Sequence, residues 1–230
     1  MRLVLSVAEP PTMAEGCGVG SASQRAYNAI REMILAGIIE DGAPLREESL
    51  AQRIGVSRTP IREAFRRLDA EGLVQLEVHR GARVTAYPPE TLDEIFSLRA
   101  MLEGRAARLA AEHVDPPTVQ RLRQLAEEMI GLADERGQDH HDLIADLNNE
   151  FHRTVLEATG SAYLLKLRED LVQVPLVQRT FHRYSAERLR RSVQHHAELV
   201  DALASRDGDW AEAVMRAHIL GARHVLPDGR

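Results

Sequence analysis

The stretch from Leu45 to Leu73, LREESLAQRIGVSRTPIREAFRRLDAEGL, constrains the fold more than any other part of the chain. Leu50, Ala51 and Ile54 recur at helical spacing on one face, and Gly55 follows where a left-handed cap would end the helix. Ser57 is placed to accept a hydrogen bond from backbone N–H groups two or three residues on, and Pro60 fits within the first turn of a second helix. Ile61, Ala64, Phe65 and Leu68 give that helix its apolar stripe. The pattern is a helix-turn-helix. Arg58, Thr59 and Arg62 fall near the start of the second helix and outside the stripe, where side chains reach base edges and phosphates in a major groove. A surface hairpin whose arginines are only solvated has the same spacing, so the flanking sequence must decide.

Upstream, Ala22 to Ala36 reads as an amphipathic helix with Tyr27, Ile30, Ile34 and Leu35 inward, and Gly37 ends it. Downstream, Gly72 closes the recognition helix and Leu73 to Val78 alternates like a strand. His79-Arg80-Gly81 then turns, and Ala82 to Ala86 returns. Three helices and a two-stranded wing make a winged helix. At the wing tip, Arg80 beside Gly81 places a cation next to a residue without a side chain, which suits close approach to a phosphate or a minor groove. His79 is a further phosphate candidate.

The segment GAPLREESLAQRIGVSRTPIREAFRRLDAEGLVQLEVHRGARV resembles the DNA-binding domain of GntR-type bacterial transcription regulators. The hallmark of that family is G-V-S-R-T-P-[VI]-R-E-A followed by E-G-L and R-G-x-x-V. The resemblance implies DNA contacts from Ser57, Arg58, Thr59, Pro60 and Arg62, with Arg80 and Gly81 at the wing. Some members carry an arginine after the glutamate that starts the second helix. Here Glu47 is followed by Glu48, an acid that would repel phosphate, so that contact is not carried over.

Bulk properties fit this picture once charge is located along the chain. At 230 residues, 44% hydrophobic and 28% charged, the sequence describes an ordinary globular protein with room for two small domains. No apolar run approaches membrane-spanning length, and MRLVLSV is too short for a signal-peptide core, so a cytoplasmic protein with no membrane partner is expected. The single Cys17 excludes an intrachain disulfide and any multi-cysteine metal site. Residues 1–20 hold Pro10, Pro11, Gly16, Gly18 and Gly20 without periodicity and read as a disordered arm. The net charge of −6 is unusual for a DNA binder, but residues 21–86 carry ten arginines against nine acids. Affinity for phosphate is therefore local to the recognition helix and wing, which makes dimerisation on an operator more necessary.

Tyr87-Pro88-Pro89 is the candidate linker between a domain at 21–86 and a second at 90–230, because paired prolines hold the chain extended. Beyond it, segments near 90–113, 117–136, 139–159, 161–182, 185–205 and 207–226 show helical spacing. The expected fold class is mainly α: a winged helix-turn-helix followed by an all-α six-helix bundle for effector binding and dimerisation.

Within that bundle, Asn148 and His152 lie four residues apart and share a face. His196 is in register with Ser192, Leu199 and Leu203, and His218 with Val214, Gly221 and Val225. Each histidine points where the apolar residues point, so three imidazoles and an amide oxygen are placed to hold a divalent cation if they converge. Three separately satisfied core histidines would produce the same spacing.

LNNEFHRTVLEATGSAYL and HHAELVDALASRDGDWAEAVMRAHI resemble the FCD-type effector domain of GntR regulators, in the smaller six-helix, VanR-like group. In that group an Asp or Asn four residues before the His of an F-H pair, and two histidines from later segments, bind a metal such as zinc or nickel. The resemblance implies Asn148, His152, His196 and His218 as ligands. His195 stands where Glu is usual and competes with its neighbour, although periodicity favours His196. Asn in place of Asp leaves a more positive centre, and positions left open by the protein suit water or an anionic effector.

Arg99 shares the apolar stripe of Ile95, Leu102 and Ala106, a costly place for an unpaired guanidinium. It reads either as half of an internal ion pair with Glu103 or as an effector-binding group for a small organic acid. His113, His140, His141, His182 and His224 are assigned to surface or capping positions. Two function classes follow. The favoured one is a homodimeric transcription regulator, a repressor by family expectation, that grips an inverted repeat of double-stranded DNA and answers to a small carboxylate effector. The rival is a metal-dependent hydrolase with an accessory nucleic-acid domain. Against it, there is no H-E-x-x-H segment, and Glu150, two residues from His152, should point elsewhere.

Overall fold

A computed structural model describes residues 21–77, 81–135, 140–172 and 174–226. The arm expected at 1–20, and His79 and Arg80 at the wing tip, lie outside the described residues.

The chain begins with α1 (Ala22–Leu35), β1 (Pro44–Leu45), α2 (Glu47–Ile54), α3 (Arg58–Ala70), β2 (Val74–Glu77) and β3 (Gly81–Val84). Ile30, Ile34 and Leu35 of α1 meet Leu50 of α2, Ile61, Phe65 and Leu68 of α3, and Leu73, Val74 and Val84 in one apolar core. Gly55 has φ 74°, so the left-handed cap that turns α2 toward α3 sits at a residue without a Cβ. Ser57 occupies the N-cap of α3, but its side chain makes no capping bond, contrary to the sequence expectation. The reason is local: the third residue of the helix is Pro60, which has no N–H to donate.

The wing has three strands, not two. β1 pairs antiparallel with β3, giving the order β1-β3-β2, with Leu45 opposite Ala82 and Val74 opposite Val84. A two-residue strand carries no alternation to read, yet burying Leu45 against Ala82 ties the start of α2 to the wing.

The remainder is helical: α4 (Pro89–His113), α5 (Pro116–Asp134), α6 (His141–Glu157), α7 (Ala162–Leu171), α8 (Val174–His182), α9 (Ala186–Ala204) and α10 (Gly208–Arg223). Seven helices therefore stand among the described residues where six segments are expected. The segment at 161–182 divides because Pro175 cannot donate to the carbonyl four residues back and its ring crowds it. Pro89, read as linker, is the first residue of α4, a position that tolerates proline. Leu122, Leu125, Met129, Phe151, Val155, Val200, Leu203 and Met215 are among the residues that fill the core. At Gly104 α4 lies against α10, where an added Cβ would stand 2.7 Å from Cγ of Arg216.

α8 sits between the two cores. Arg179, 1% exposed, donates to the Thr85 carbonyl at 2.8 Å, reaches the Leu73 carbonyl at 3.4 Å and lies 3.5 Å from Asp41. Arg183 donates to the same Asp41 at 3.0 Å. Beside them, Arg31 of α1 grips Asp142 of α6 through two bonds of 2.6 and 2.9 Å, and His182 Nε2 lies 3.0 Å from Asp142. His182 thus supports, from within the bundle, the carboxylate that Arg31 grips across the domains, and is not the surface or capping residue that its isolation in sequence led one to expect.

Burial pushes the Asp142 carboxyl up, but the bonds from Arg31 and His182 outweigh it and hold the group below its usual range. With the folded value depressed, this link contributes above the ordinary aspartate pKa of about 3.9 and is lost as pH falls through the lower folded value. Asp142→Asn is expected to lower thermal stability modestly at pH 5–7, since the carboxylate is half exposed. The difference from the unmodified protein should shrink below about pH 4 in calorimetry. A difference that persists unchanged in acid would discount the ion pair. No helix of the described residues is long and apolar enough to cross a membrane.

Candidate DNA-binding surface and candidate metal centre

α3 presents Arg58, Arg62 and Arg66 to solvent at successive turns, and the side chains of Arg58 and Arg62 are 59% and 56% exposed. Ser57 and Thr59 are exposed beside them, Pro60 is half-buried, and Gly81 opens β3 with φ 91°. The apolar stripe of α3 faces the core, so its cationic side can only face outward.

One residue of this surface was not legible in the sequence. Glu47, first residue of α2, accepts from Arg58 Nη2 at 3.1 Å and from Arg62 Nε at 2.9 Å. Arg62 first, and Arg58 with it, hold the Glu47 carboxyl below its ordinary range against a smaller effect of burial. Its carboxylate orients both guanidiniums and takes one charge from the field that DNA would meet. Glu47→Gln is expected to raise affinity for non-specific duplex several-fold and steepen the salt dependence by about one phosphate contact. Anisotropy titrations at two salt concentrations read this directly, and an unchanged slope would show that the clamp opens on DNA.

In the bundle, the structure brings together all four predicted ligands. His152 of α6, His196 of α9 and His218 of α10 are buried, with ligand atoms within 4.8 Å of one another. His152 Nε2 and His218 Nε2 are 3.3 Å apart, and His196 Nε2 is 3.1 Å from Asn148 Oδ1. His195 stays on the rim, its ring centroid 6.0 Å from that of His218, while His196 is the neighbour that lies within the buried cluster.

Glu103 of α4 organises this cluster. Fully buried, its carboxylate accepts from His152 Nδ1 at 2.6 Å and from Arg99 Nε at 2.9 Å, with Arg168 Nε 3.7 Å away. Burial pushes the Glu103 carboxyl up, yet Arg99, His152 and Arg168 together hold it far below the ordinary carboxylate range. Arg99 therefore realises the internal ion pair, and it also lines a small inner chamber of about 20 Å³ with Asn148, Val177, Phe181 and His218. The sequence placed Glu103 on the same helical face as Arg99; nothing in it identified His152 or Arg168 as further partners, because those arrive from other helices.

Burial, reinforced by the neighbouring imidazoles, holds His196 and His218 well below their usual pKa, and burial outweighs Glu103 in lowering His152. Each shift favours the neutral imidazole, the form a metal requires. Because His152 donates through Nδ1 to a carboxylate, its Nε2 keeps a free lone pair aimed at the other nitrogens. Nitrogens bonded to one tetrahedral zinc at about 2.0–2.1 Å stand roughly 3.3 Å apart, close to the His152–His218 separation. Nδ1 of His196 and of His218 is buried without a hydrogen bond of normal geometry, a polar capacity at the cluster that the described residues leave unfilled. The donor set fits a divalent transition metal.

A winged helix whose arginines face outward, joined to a helical bundle that buries a histidine cluster, is the architecture of a DNA-binding regulator. Residues 22–84 match the GntR family of bacterial regulatory proteins and residues 94–221 match the FCD domain. The chain belongs to the GntR family, carries an FCD domain and is a DNA-binding transcription regulator. It is 34% identical to a probable D-xylose utilization operon transcriptional repressor of Paenarthrobacter nicotinovorans, over 81% of this chain and 80% of that protein. It is 29% identical to the repressor RspR of Escherichia coli, over 86% and 85% of the two chains. Its fold is that of Escherichia coli McbR/YncC, with TM-score 0.57 at 23% identity, covering 88% of this chain and 95% of that one.

The rival hydrolase is not supported. The matched families and relatives are transcription regulators. Glu150 bonds Arg121 on the outside of the bundle, and the Glu103 carboxylate is engaged by His152 and Arg99.

Proposed function

We propose that the protein is a homodimeric repressor whose two winged helices grip an inverted repeat, with Arg58 and Arg62 reading the major groove and Gly81, with Arg80, at the wing. Asn148, His152, His196 and His218 would hold a divalent metal, zinc or nickel, that supplies a Lewis-acidic anchor for an oxygen ligand. Arg99, which lines the inner chamber, would pair with a small carboxylate effector. That relatives are named repressors supports the direction of control.

The observation that carries this reading is the double engagement of α8. Val177 and Phe181 line the chamber with Arg99 and His218, while Arg179 and Arg183 hold Thr85 and Asp41 of the winged domain. At about 20 Å³ the chamber has room for little more than one water. An effector must therefore displace a wall, and displacement of α8 would reposition the DNA-binding domain.

The test uses operators selected from random duplex DNA, with and without a chelator and a set of carboxylates. Arg58→Ala is expected to cost about 1–3 kcal/mol of discrimination between operator and other duplexes. His196→Ala should leave binding to the operator intact and abolish the response to metal and carboxylate. Equal loss of both activities in both variants would refute the modular scheme.

A further inference from the structure

Outside the inner chamber, a groove of about 620 Å³ runs between α9 and α10, a volume suited to a small-molecule ligand. Arg188, Arg191 and His195 project into it from one face of α9, at intervals of three and four residues. The opposing wall is built from Ala217, Leu220 and Gly221 of α10 and His224 at its C-cap. Arg188 and Arg191 have no side-chain ion pair or hydrogen bond among the described residues, whereas most arginines of this chain do. Among the described residues Glu187 is the single acid lining the groove, and Arg188 and Arg191 outnumber it.

Tyr184, Ser192 and His218 line both this groove and the inner chamber, and so form the partition between them. His218 presents a buried, unpartnered Nδ1 at that partition. Burial pushes the Tyr184 hydroxyl up, and Ser192, then Arg99 and Arg188, act in the opposite sense, with Arg99 lining the chamber and Arg188 the groove. Two cationic stations are thus separated by one layer of side chains.

We propose that the α9–α10 groove is a second anion subsite, entered from solvent, and that the effector is a dianion such as a linear dicarboxylate. One end would pair with Arg188 and Arg191, and the other, once Tyr184 is displaced, would reach Arg99 and the metal. This inference rests on the organic-acid effector of the preceding section and adds its chemical class. A monoanion would occupy the station at Arg99 and the metal and leave the Arg188–Arg191 pair hydrated, so the two classes differ by the contact made in the groove.

The experiment is calorimetric titration of the zinc-loaded full chain, at fixed ionic strength, with acetate, butyrate, malonate, succinate, glutarate and adipate. At least one dicarboxylate is expected to bind about tenfold or more tightly than either monocarboxylate, the effect of one added charge-assisted contact. Arg188→Gln with Arg191→Gln should bring that ratio close to one while preserving monocarboxylate affinity and operator binding. Gly221→Leu provides a separate steric test. A Cβ at Gly221 meets nothing within 4 Å, so the added side chain projects into the groove without disturbing the helix, and it should abolish the same preference. Dicarboxylates and monocarboxylates binding alike, or a preference surviving in both variants, would overturn the subsite and leave the organic-acid reading standing. Binding of zinc but of no carboxylate would overturn both.

Discussion

Glu103→Gln is expected to destabilise the bundle by about 3–5 kcal/mol, the cost of breaking a buried ion pair, and to weaken metal binding about 10- to 100-fold. The carboxylate is fully buried, and it is the counter-charge of Arg99 and Arg168 as well as the acceptor for His152 Nδ1. Glutamine preserves the shape and one acceptor but leaves the guanidiniums in the interior without a compensating charge. It also fixes the His152 tautomer less firmly, which turns its Nε2 lone pair away from the ligand cluster for part of the time. Thermal denaturation should show a drop of roughly 10 °C, and competition with a chromogenic chelator should show the weaker metal site. Unchanged stability with reduced metal affinity would make Glu103 a positioning residue only. Loss of neither would mean that the buried charges are balanced elsewhere.

Arg179→Met should uncouple sensing from DNA binding. Methionine fills much of the volume of the arginine stem but supplies no donor to Thr85 and no charge toward Asp41, which retains Arg183. Burial already pulls the Arg179 guanidinium below its usual pKa, so part of the lost bonding is offset by relief of desolvation. The stability cost is therefore set at about 1–3 kcal/mol, the cost of a carbonyl deprived of its donor. The larger effect is on regulation. Coupling between sites typically amounts to a factor of about 5–150 in affinity, and here that factor should fall toward one. Operator affinity measured with and without carboxylate in both proteins reads the change, and equal coupling in both would exclude α8 as the connecting element.

What could be read in the sequence follows from the range of each interaction. The outward arginines of α3 were legible because Gly55, Pro60 and the Ile61–Leu68 stripe fix the face of the helix within a few residues. The convergence of Asn148, His152, His196 and His218 was legible in part, since helical register places each toward the interior and the family resemblance supplies the rest. Glu47, Arg168 and Arg179 were not found, because each acts on a residue from another element and periodicity carries no record of such pairs. The break before α8 was signalled by Pro175 and overridden by the apolar periodicity around it. The missing cap at Ser57 was also readable, from the proline three residues later.

The shared use of α8 bears on how regulators of this architecture can be recombined. A chimera cut at Tyr87–Pro88 would transplant a DNA-reading head away from the arginine that its own Thr85 and Asp41 were fitted to, and the graft would bind its promoter without hearing its new inducer. Exchanging 174–183 along with the head, or rebuilding the Arg179 and Arg183 sockets on the recipient, would keep those arginines with the Thr85 and Asp41 they bond, the requirement for a designed biosensor that uses this route.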